Sequence, residues 1–171
     1  LYEELGRDFT KEMNGMYAFA LWDDRKKELI LARDPYGIKP LFYMWSNGAF
    51  CFASEPKALV TFPDYTPGPS LEGLYHFLSF DYMPDAHTAF EGIHELRPGH
   101  MLTISLEKPE PRITRFFDID YAVNNKLGEE ESIELSMDYL TKAVERQLIS
   151  DVPVGVMLSG GMDSSALTAL M

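Results

Sequence analysis

The residues best suited to chemistry lie in segment 154–165, VGVMLSGGMDSS, where an apolar run meets a glycine turn and then several polar side chains. The apolar run is short and follows Pro153, which predicts a buried strand over 154–158 and not a helix. Gly160 and Gly161 let the backbone turn tightly and approach a ligand without interference from a Cβ atom. The segment is therefore predicted to be a strand-to-helix loop that can enclose a small group.

Polar side chains after the glycines predict the start of a helix. Asp163, Ser164 and Ser165 are residue types that cap helix N-termini. The free N–H groups and positive dipole end of a helix attract oxyanions, and the hydroxyl of Ser159 can add a hydrogen bond. The Asp163 carboxylate is a ligand type that Mg²⁺ prefers. An ordinary strand-to-helix connection also uses glycine and serine, so spacing alone leaves a phosphate site and a structural turn open.

The motif SGGMDSS resembles the pyrophosphate loop of the N-type ATP pyrophosphatases, whose pattern is SGGxDSS. It is not a Walker A loop, since no lysine follows the glycines, and it is not the dinucleotide pattern GxGxxG. Enzymes with this loop cleave ATP between the α and β phosphates and adenylate a substrate. The resemblance implies ATP and Mg²⁺ as cofactors, and the Asp163 carboxylate could hold the magnesium ion or orient the loop. It implies an ATP and pyrophosphate site at Leu158, Ser159, Gly160, Gly161, Asp163, Ser164 and Ser165.

The composition is that of a folded, acidic chain. Its 171 residues are 46% hydrophobic and carry a formal net charge of −12. That charge argues against a nucleic-acid surface, which needs clustered Lys and Arg. No apolar stretch approaches the roughly 20 residues that span a bilayer, and the polar, acidic start is unlike a signal peptide. We therefore expect no nucleic-acid or membrane partner and a cytoplasmic location.

The cysteine and histidine residues show no sequence pattern that indicates a metal site. Cys51 is the only cysteine and lies in the apolar run AFCFAS, which predicts a small buried side chain and not a nucleophile. The histidines show no HxxxH or similar ligand spacing, so nothing in the sequence argues for zinc. They are His76, His87, His94 and His100.

Paired strands are predicted in the first half of the chain, at 16–22 with 28–32 and at 40–45 with 49–53. The second pair flanks Asn47-Gly48, a strong hairpin signal. Several runs are apolar on both faces, which predicts a layered sandwich with its sheets covered on both sides. Further predicted elements are short helices beginning at Ser54 and Ser70, strands at 99–105 and 112–117, and a linker at 121–128.

The hydrophobic period becomes helical from Glu129 onward. One apolar stripe is predicted at Ile133, Met137, Leu140, Val144 and Leu148. The charges on the opposite face indicate a solvated surface and not a partner site. This helix, followed by the strand and glycine loop, predicts that a new α/β unit begins after the β-rich part.

Segments 16–23 (MYAFALWD), 33–41 (RDPYGIKPL) and 53–59 (ASEPKAL) resemble the later half of a class II glutamine amidotransferase domain. Followed by the pyrophosphate loop, they are similar in order to the glutamine-hydrolysing asparagine synthetase family. The resemblance implies an α+β N-terminal-nucleophile-type sandwich of antiparallel sheets, incomplete here, then the start of an α/β adenine-nucleotide α-hydrolase-like domain. The implied divisions are a glutaminase part at 1–120, the linker, and an ATP-pyrophosphatase part at 129–171.

That family is a group of carbon–nitrogen ligases acting on aspartate, glutamine and ATP. The resemblance implies that ATP activates the aspartate side chain as β-aspartyl-AMP and that ammonia from glutamine then yields asparagine. The sequence leaves the oligomeric state open, with a homodimer as one alternative. The family's glutaminase nucleophile is an N-terminal cysteine, whereas this chain begins Leu1-Tyr2-Glu3. We therefore expect a piece of a longer protein, with no catalytic residue within it and no activity alone.

Three alternatives are weighed against this interpretation. RDPYGIKPL is also similar to glutamine phosphoribosylpyrophosphate amidotransferase, but SGGMDSS stands where a phosphoribosyl motif would be needed. A paralogous ligase that amidates another carboxylate, similar to a β-lactam synthetase, keeps the same layout and stays open. So does a degenerate, non-catalytic module.

Specific roles are predicted for two pairs of residues in the glutaminase part. Arg33 and Asp34 precede Pro35 and are predicted to form a structural ion pair that fixes a turn. Met16 and Ile38 match family positions that line an apolar ammonia passage, so the resemblance implies that role for them. Ordinary core packing is the alternative.

Overall fold

The computed structural model describes residues 1–122 and 126–171, so part of the predicted linker at 121–128 lies outside the described residues. The chain divides into two compact units, Leu1–Ile119 and Asp120–Met171. The first unit contains α1 (Tyr2–Leu5), a 3₁₀ helix (Gly6–Glu12), β1 (Ala18–Asp23), β2 (Glu28–Arg33), β3 (Phe42–Ser46), β4 (Ala49–Ala53), α2 (Pro56–Val60), α3 (Leu71–Phe80), β5 (Ile93–Glu95), β6 (His100–Ser105) and β7 (Arg112–Arg115). The second contains α4 (Glu129–Gln147) and α5 (Met162–Leu170).

Two antiparallel sheets form the body of the first unit. One has the strand order β1-β2-β6-β7 and the other β4-β3-β5. Both predicted hairpins are confirmed, and Ala18 pairs with Arg33 at one end of the first hairpin. At the second hairpin, Asn47 and Gly48 have φ values of 46° and 79°. These left-handed values suit the two-residue turn that the Asn-Gly pair predicts.

The two sheets pack face to face through a shared core. Leu31 on β2 and Leu102 on β6 are fully buried, and Tyr43 and Phe50 from the second sheet pack against them. The opposite face of β2 carries Ile30, in a cluster that includes Tyr2 of α1 and Phe19 of β1. The first sheet is therefore buried on both faces, as its doubly apolar strands predict.

A helix covers the outer face of the second sheet. Leu59 of α2 packs with the buried Met44 and Ile93, and Cys51 joins this cluster. Burial raises the pKa of the Cys51 thiol, which agrees with its prediction as a packing residue. The unit thus has the order helical segment, sheet, sheet, helix, and the prediction of an α+β fold with stacked antiparallel sheets is confirmed.

Helix starts are only partly as predicted. Ser70 caps α3 by accepting a hydrogen bond from Gly73 N at 3.1 Å, as expected. The predicted cap at Ser54 is wrong, because α2 begins one residue later with Glu55 at its N-cap position and no side-chain capping bond. Pro56 at the first turn supplies the helical φ instead.

The described part of the second unit contains two helices. Helix α4 contains the predicted stripe from Ile133 to Val144 and ends at Gln147, with Leu148 at its C-cap position and Val144 as its buried residue. The strand predicted over 154–158 is wrong: the segment forms no strand, and Val154, Val156 and Leu158 are exposed. A strand needs a neighbouring strand to pair its backbone groups, and the described residues of this unit contain none. No helix in the described part of the chain is long and apolar enough to cross a membrane.

Candidate functional site

The glycine loop places its predicted ligand-binding residues together at the start of α5. Gly160 has a φ of +81°, a left-handed value that side-chain-bearing residues rarely adopt. Gly161 occupies the N-cap position with ordinary extended angles. The chain can therefore reverse at Gly160 and enter the helix at Met162, so the predicted glycine turn is confirmed.

Hydroxyl groups of this loop converge on one another and on the Gly161 carbonyl. The Oγ atoms of Ser159 and Ser164 lie 3.0 Å apart. Ser164 and Ser165 donate to Gly161 O at 3.1 Å and 2.8 Å. The prediction that Asp163, Ser164 and Ser165 supply helix caps is wrong, because α5 has no side-chain capping bond. The hydroxyls satisfy the Gly161 carbonyl instead, which leaves the first N–H groups of α5 available to an anion.

The loop residues also fit the chemistry of a magnesium-bound polyphosphate. Asp163 stands in the first turn of α5, and it is exposed together with Ser159 and Gly160. A carboxylate beside hydroxyl oxygens is the hard donor set that Mg²⁺ prefers. Leu158, which completes the predicted set, is also exposed. The segment thus combines a helix N-terminus with an exposed carboxylate in its first turn.

A second organised loop lies at 34–39, where the predicted Arg33–Asp34 ion pair is wrong. Arg33 pairs instead with Glu95 at 2.8 Å and donates to the carbonyls of Gly37, Lys39 and Leu96 at 2.7–2.9 Å. Its planar guanidinium therefore ties the loop to the end of β5. The sequence predicted the structural role of Arg33 but not its partner, since Glu95 is distant in sequence.

Asp34 fixes the same loop from the other side. Its Oδ1 accepts from the N–H groups of Tyr36 and Ile38 at 3.0 Å each, and its Oδ2 accepts from Lys39 N at 2.9 Å. Burial alone would raise the pKa of Asp34, but these backbone donors outweigh burial and hold the pKa below its ordinary value. Asp34 is thus a structural carboxylate that stays ionised.

Comparison with known proteins identifies the larger part of the chain. The glutamine amidotransferase domain model matches residues 1–117. This chain belongs to the glutamine amidotransferase domain family. A second model, described as asparagine synthase, matches residues 137–171, which include the glycine loop.

Curated relatives match the chain over nearly its whole length. Asparagine synthetase [glutamine-hydrolyzing] 3 of Bacillus subtilis is 37% identical over 99% of this chain and 27% of its own length. Amidase chry2 of Gibberella zeae is 34% identical over 100% of this chain and 25% of its own length. This glutamine amidotransferase chain therefore spans about a quarter of the length of these relatives.

A solved glutamine phosphoribosylpyrophosphate (PRPP) amidotransferase from B. subtilis also matches. The likeness covers 99% of this chain and 33% of that one, at 19% identity and a TM-score of 0.40.

Met16 and Ile38 both flank the Asp34 loop of this amidotransferase domain. Tyr17, next to Met16, accepts a hydrogen bond from Asp34 N at 2.8 Å through its carbonyl oxygen, and Ile38 N donates to the Asp34 carboxylate. Both side chains are about half exposed, at 45% for Met16 and 53% for Ile38. The alternative of ordinary core packing is therefore wrong for both residues.

One cluster of potential metal ligands was not predicted from the sequence. Glu72 and His76 on α3 and His87 in the following loop offer ligand atoms within 4.8 Å of one another. Glu72 and His76 are one helical turn apart, which a search for paired histidines does not detect. His87 joins them only through the fold.

Proposed function

We propose that the complete protein carrying this chain is an ATP-dependent ligase that amidates aspartate to asparagine with ammonia derived from glutamine. The carboxylate of aspartate does not react with ammonia until one oxygen becomes part of a good leaving group. Adenylation to β-aspartyl-AMP provides that group and releases pyrophosphate. The segment at 159–165 would hold the pyrophosphate part of ATP.

The observation that carries this proposal is the order of the two family matches in one chain. A glutamine amidotransferase domain at 1–117 precedes an asparagine synthase match at 137–171. The loop geometry within the second match supports it, because Gly160 turns the backbone and α5 presents its N-terminus. We accordingly propose a glutaminase part at 1–120, a linker at 121–128 and an ATP-binding part at 129–171.

Each residue of the loop has a proposed task at the phosphate groups. The N–H groups at the start of α5 would donate to the pyrophosphate oxygens as negative charge builds on them. Ser159, Ser164 and Ser165 would add hydroxyl donors by rotating away from their present partners. Asp163 would hold Mg²⁺, which neutralises phosphate charge, and Leu158 would lie against the nucleotide.

The proposed ammonia passage concerns Met16 and Ile38. An apolar wall lets neutral ammonia pass without protonation, and both side chains lie on segments bonded to Asp34. Met16→Asp in the complete protein should leave glutamine hydrolysis intact and lower the asparagine formed per glutamate released. Unchanged coupling would remove Met16 from the passage.

The direct test measures asparagine and pyrophosphate formation by the complete protein with aspartate, ATP and either glutamine or ammonia. Asp163→Asn should lower kcat/KM for ATP on the order of 100-fold and raise the Mg²⁺ concentration needed for half-maximal rate. Asp151→Asn is a matched control, since Asp151 is exposed in the same unit but outside the loop. Equal effects of the two variants would refute the assigned role of Asp163. The 171-residue chain alone should form no asparagine.

A second candidate is amidation of a different carboxylate with the same layout. The 34% identity to Amidase chry2, which matches as much of the chain as the asparagine synthetases do, favours keeping this candidate. A panel of carboxylic acids tested for ATP-dependent pyrophosphate release separates the two. Release with another acid but not with aspartate would replace asparagine synthesis, and release with none would favour a non-catalytic module.

A further inference from the structure

Three metal-ligating side chains meet between α3 and the loop that follows it. The Nε2 atoms of His76 and His87 lie 4.0 Å and 3.9 Å from Oε1 of Glu72. The two imidazole rings are nearly parallel, with centroids 5.0 Å apart and an interplanar angle of 21°. Two nitrogen donors and one carboxylate oxygen therefore lie within 4.8 Å of one another.

The backbone around this cluster is held firmly. An ideal Cβ on Gly73 would lie 2.0 Å from Thr88 O, so α3 approaches the loop as closely as glycine allows. Ser70 N donates to Ala89 O at 2.9 Å, and the hydroxyl of the buried Thr88 donates to Ile93 O at 2.8 Å. Since His87 directly precedes Thr88, its position relative to α3 is fixed by the fold and not by a ligand.

The His76 ring lacks hydrogen-bond partners in the part of the chain that the structure describes. Its Nδ1 is buried and unpartnered, and the nearest carboxylate oxygen to Nε2, at 4.0 Å, is beyond hydrogen-bonding distance. A buried polar atom without a partner is uncommon and calls for an explanation. The Nε2 atom of the same ring lies beside the Glu72 carboxylate and the stacked His87 ring, where it can coordinate a cation.

We propose that Glu72, His76 and His87 bind a divalent transition-metal ion, with zinc as the representative ion. Two imidazoles and one carboxylate form a donor set that zinc uses in proteins, with a fourth position left to water. Tetrahedral bonds of about 2.1 Å place ligand atoms about 3.4 Å apart. The Glu72 oxygen lies 3.9–4.0 Å from the two nitrogens, and all three ligand atoms lie within 4.8 Å of one another, so metal binding requires an inward movement of these side chains. The exposed Glu72 side chain is free to make that movement.

This site is separate from the proposed ATP loop. It lies wholly within the first unit, and its donors include nitrogen, whereas the Asp163 site offers only oxygen. The bound ion would connect α3 to the loop at 82–90 and stabilise the first unit. The proposed metal site therefore does not depend on the proposed asparagine synthesis.

The test is calorimetric titration of ZnCl₂ into the complete protein, purified without a histidine tag and dialysed against EDTA. One equivalent of zinc should bind, and Co²⁺ in its place should give the intense visible absorption of a tetrahedral site. Glu72→Gln and His87→Ala should each weaken zinc binding at least about 10-fold, because even outer-shell partners of a metal are worth that much. Glu91→Gln and His94→Ala are matched controls from the same surface and should leave binding unchanged.

Thermal unfolding gives a second readout that does not depend on enzymatic activity. Zinc should raise the Tm of the native protein and of both control variants, and should not raise it in Glu72→Gln or His87→Ala. Circular dichroism of each variant without metal checks that it folds. The proposal is overturned if zinc fails to bind, or if it binds folded ligand variants and control variants equally well.

Discussion

The two neighbouring glycines of the glycine loop offer a sharp test of the proposed ATP site, because they differ in backbone conformation. Gly160 has a φ of +81°, where an L side chain costs about 1–2 kcal/mol. Gly161 has a φ of −77° and a ψ of 163°, and an added Cβ would meet only Ser159 Oγ, at 3.4 Å. Alanine is therefore strained at the first position and accommodated at the second.

The conformational penalty of an alanine side chain at position 160 should lower the affinity for nucleotide. The side chains from 150 to 163 are exposed, so little packing holds the loop in its present conformation. A penalty of about 1–2 kcal/mol lowers the population of that conformation by up to about 5–30-fold. Apparent affinity falls in proportion to the competent fraction. We expect Gly160→Ala to weaken ATP binding by about 5–30-fold and Gly161→Ala by less than about 3-fold.

The assay is equilibrium binding of ATP with Mg²⁺ to the complete protein, together with the rate of pyrophosphate release. Gly160→Asn should fall between Gly160→Ala and the native protein, since asparagine tolerates left-handed angles better than alanine. Native-like binding by Gly160→Ala would refute the conformational reasoning. An equal loss in Gly161→Ala would also refute it, because crowding of the ligand would then explain both results.

Three further predictions concern the stability of the first unit and are measured by urea unfolding of the complete protein. Asp34→Asn should cost about 1–3 kcal/mol, since an amide turns a donor toward one of the three N–H groups. Because the pKa of Asp34 is lowered, the stability that its carboxylate contributes is present above the ordinary pKa of 3.8 and is lost as the pH falls through the lowered pKa. A difference in unfolding free energy between the native protein and Asp34→Asn that persists at lower pH would contradict this. Arg33→Lys should lower the free energy of unfolding by about 2–4 kcal/mol, because lysine lacks the guanidinium group that donates to three carbonyls. An unchanged free energy of unfolding would show that the positive charge alone suffices. Gly73→Ala should cost about 1–3 kcal/mol, because its Cβ would overlap Thr88 O at 2.0 Å, whereas Gly92→Ala meets no atom within 4 Å and tests the cost of a positive φ alone.

Local signals account for the parts of the fold that the sequence predicted. Asn47-Gly48 specifies its hairpin because both residues accept left-handed angles. Ser70 specifies the start of α3 because its hydroxyl reaches the N–H group three residues later. The doubly apolar β2 predicted cover on both faces because alternate residues point to opposite sides of a sheet.

Features that depend on distant residues could not be predicted in the same way. The ionic partner of Arg33 is Glu95, and nothing near Arg33 in the sequence points to it. His87 reaches Glu72 only because Gly73 allows α3 to approach the loop. The apolar segment at 154–158 has a strand pattern, but a pattern becomes a strand only where neighbouring backbone groups are available for pairing.

The Asp34 loop connects the stability of the first unit with the proposed passage of ammonia. The backbone N–H of Asp34 donates to Tyr17 O, and the Asp34 carbonyl accepts from Gly99 N at 2.9 Å. Asp34 therefore joins the segment before β1 to the segment before β6. Its carboxylate also fixes Ile38 N. Met16 and Ile38 are distant in sequence, yet their backbones are positioned by this one buried aspartate. The Asp34 carboxylate therefore holds Ile38, while the Asp34 backbone N–H holds the residue next to Met16, so a single residue helps to position both segments of the proposed passage.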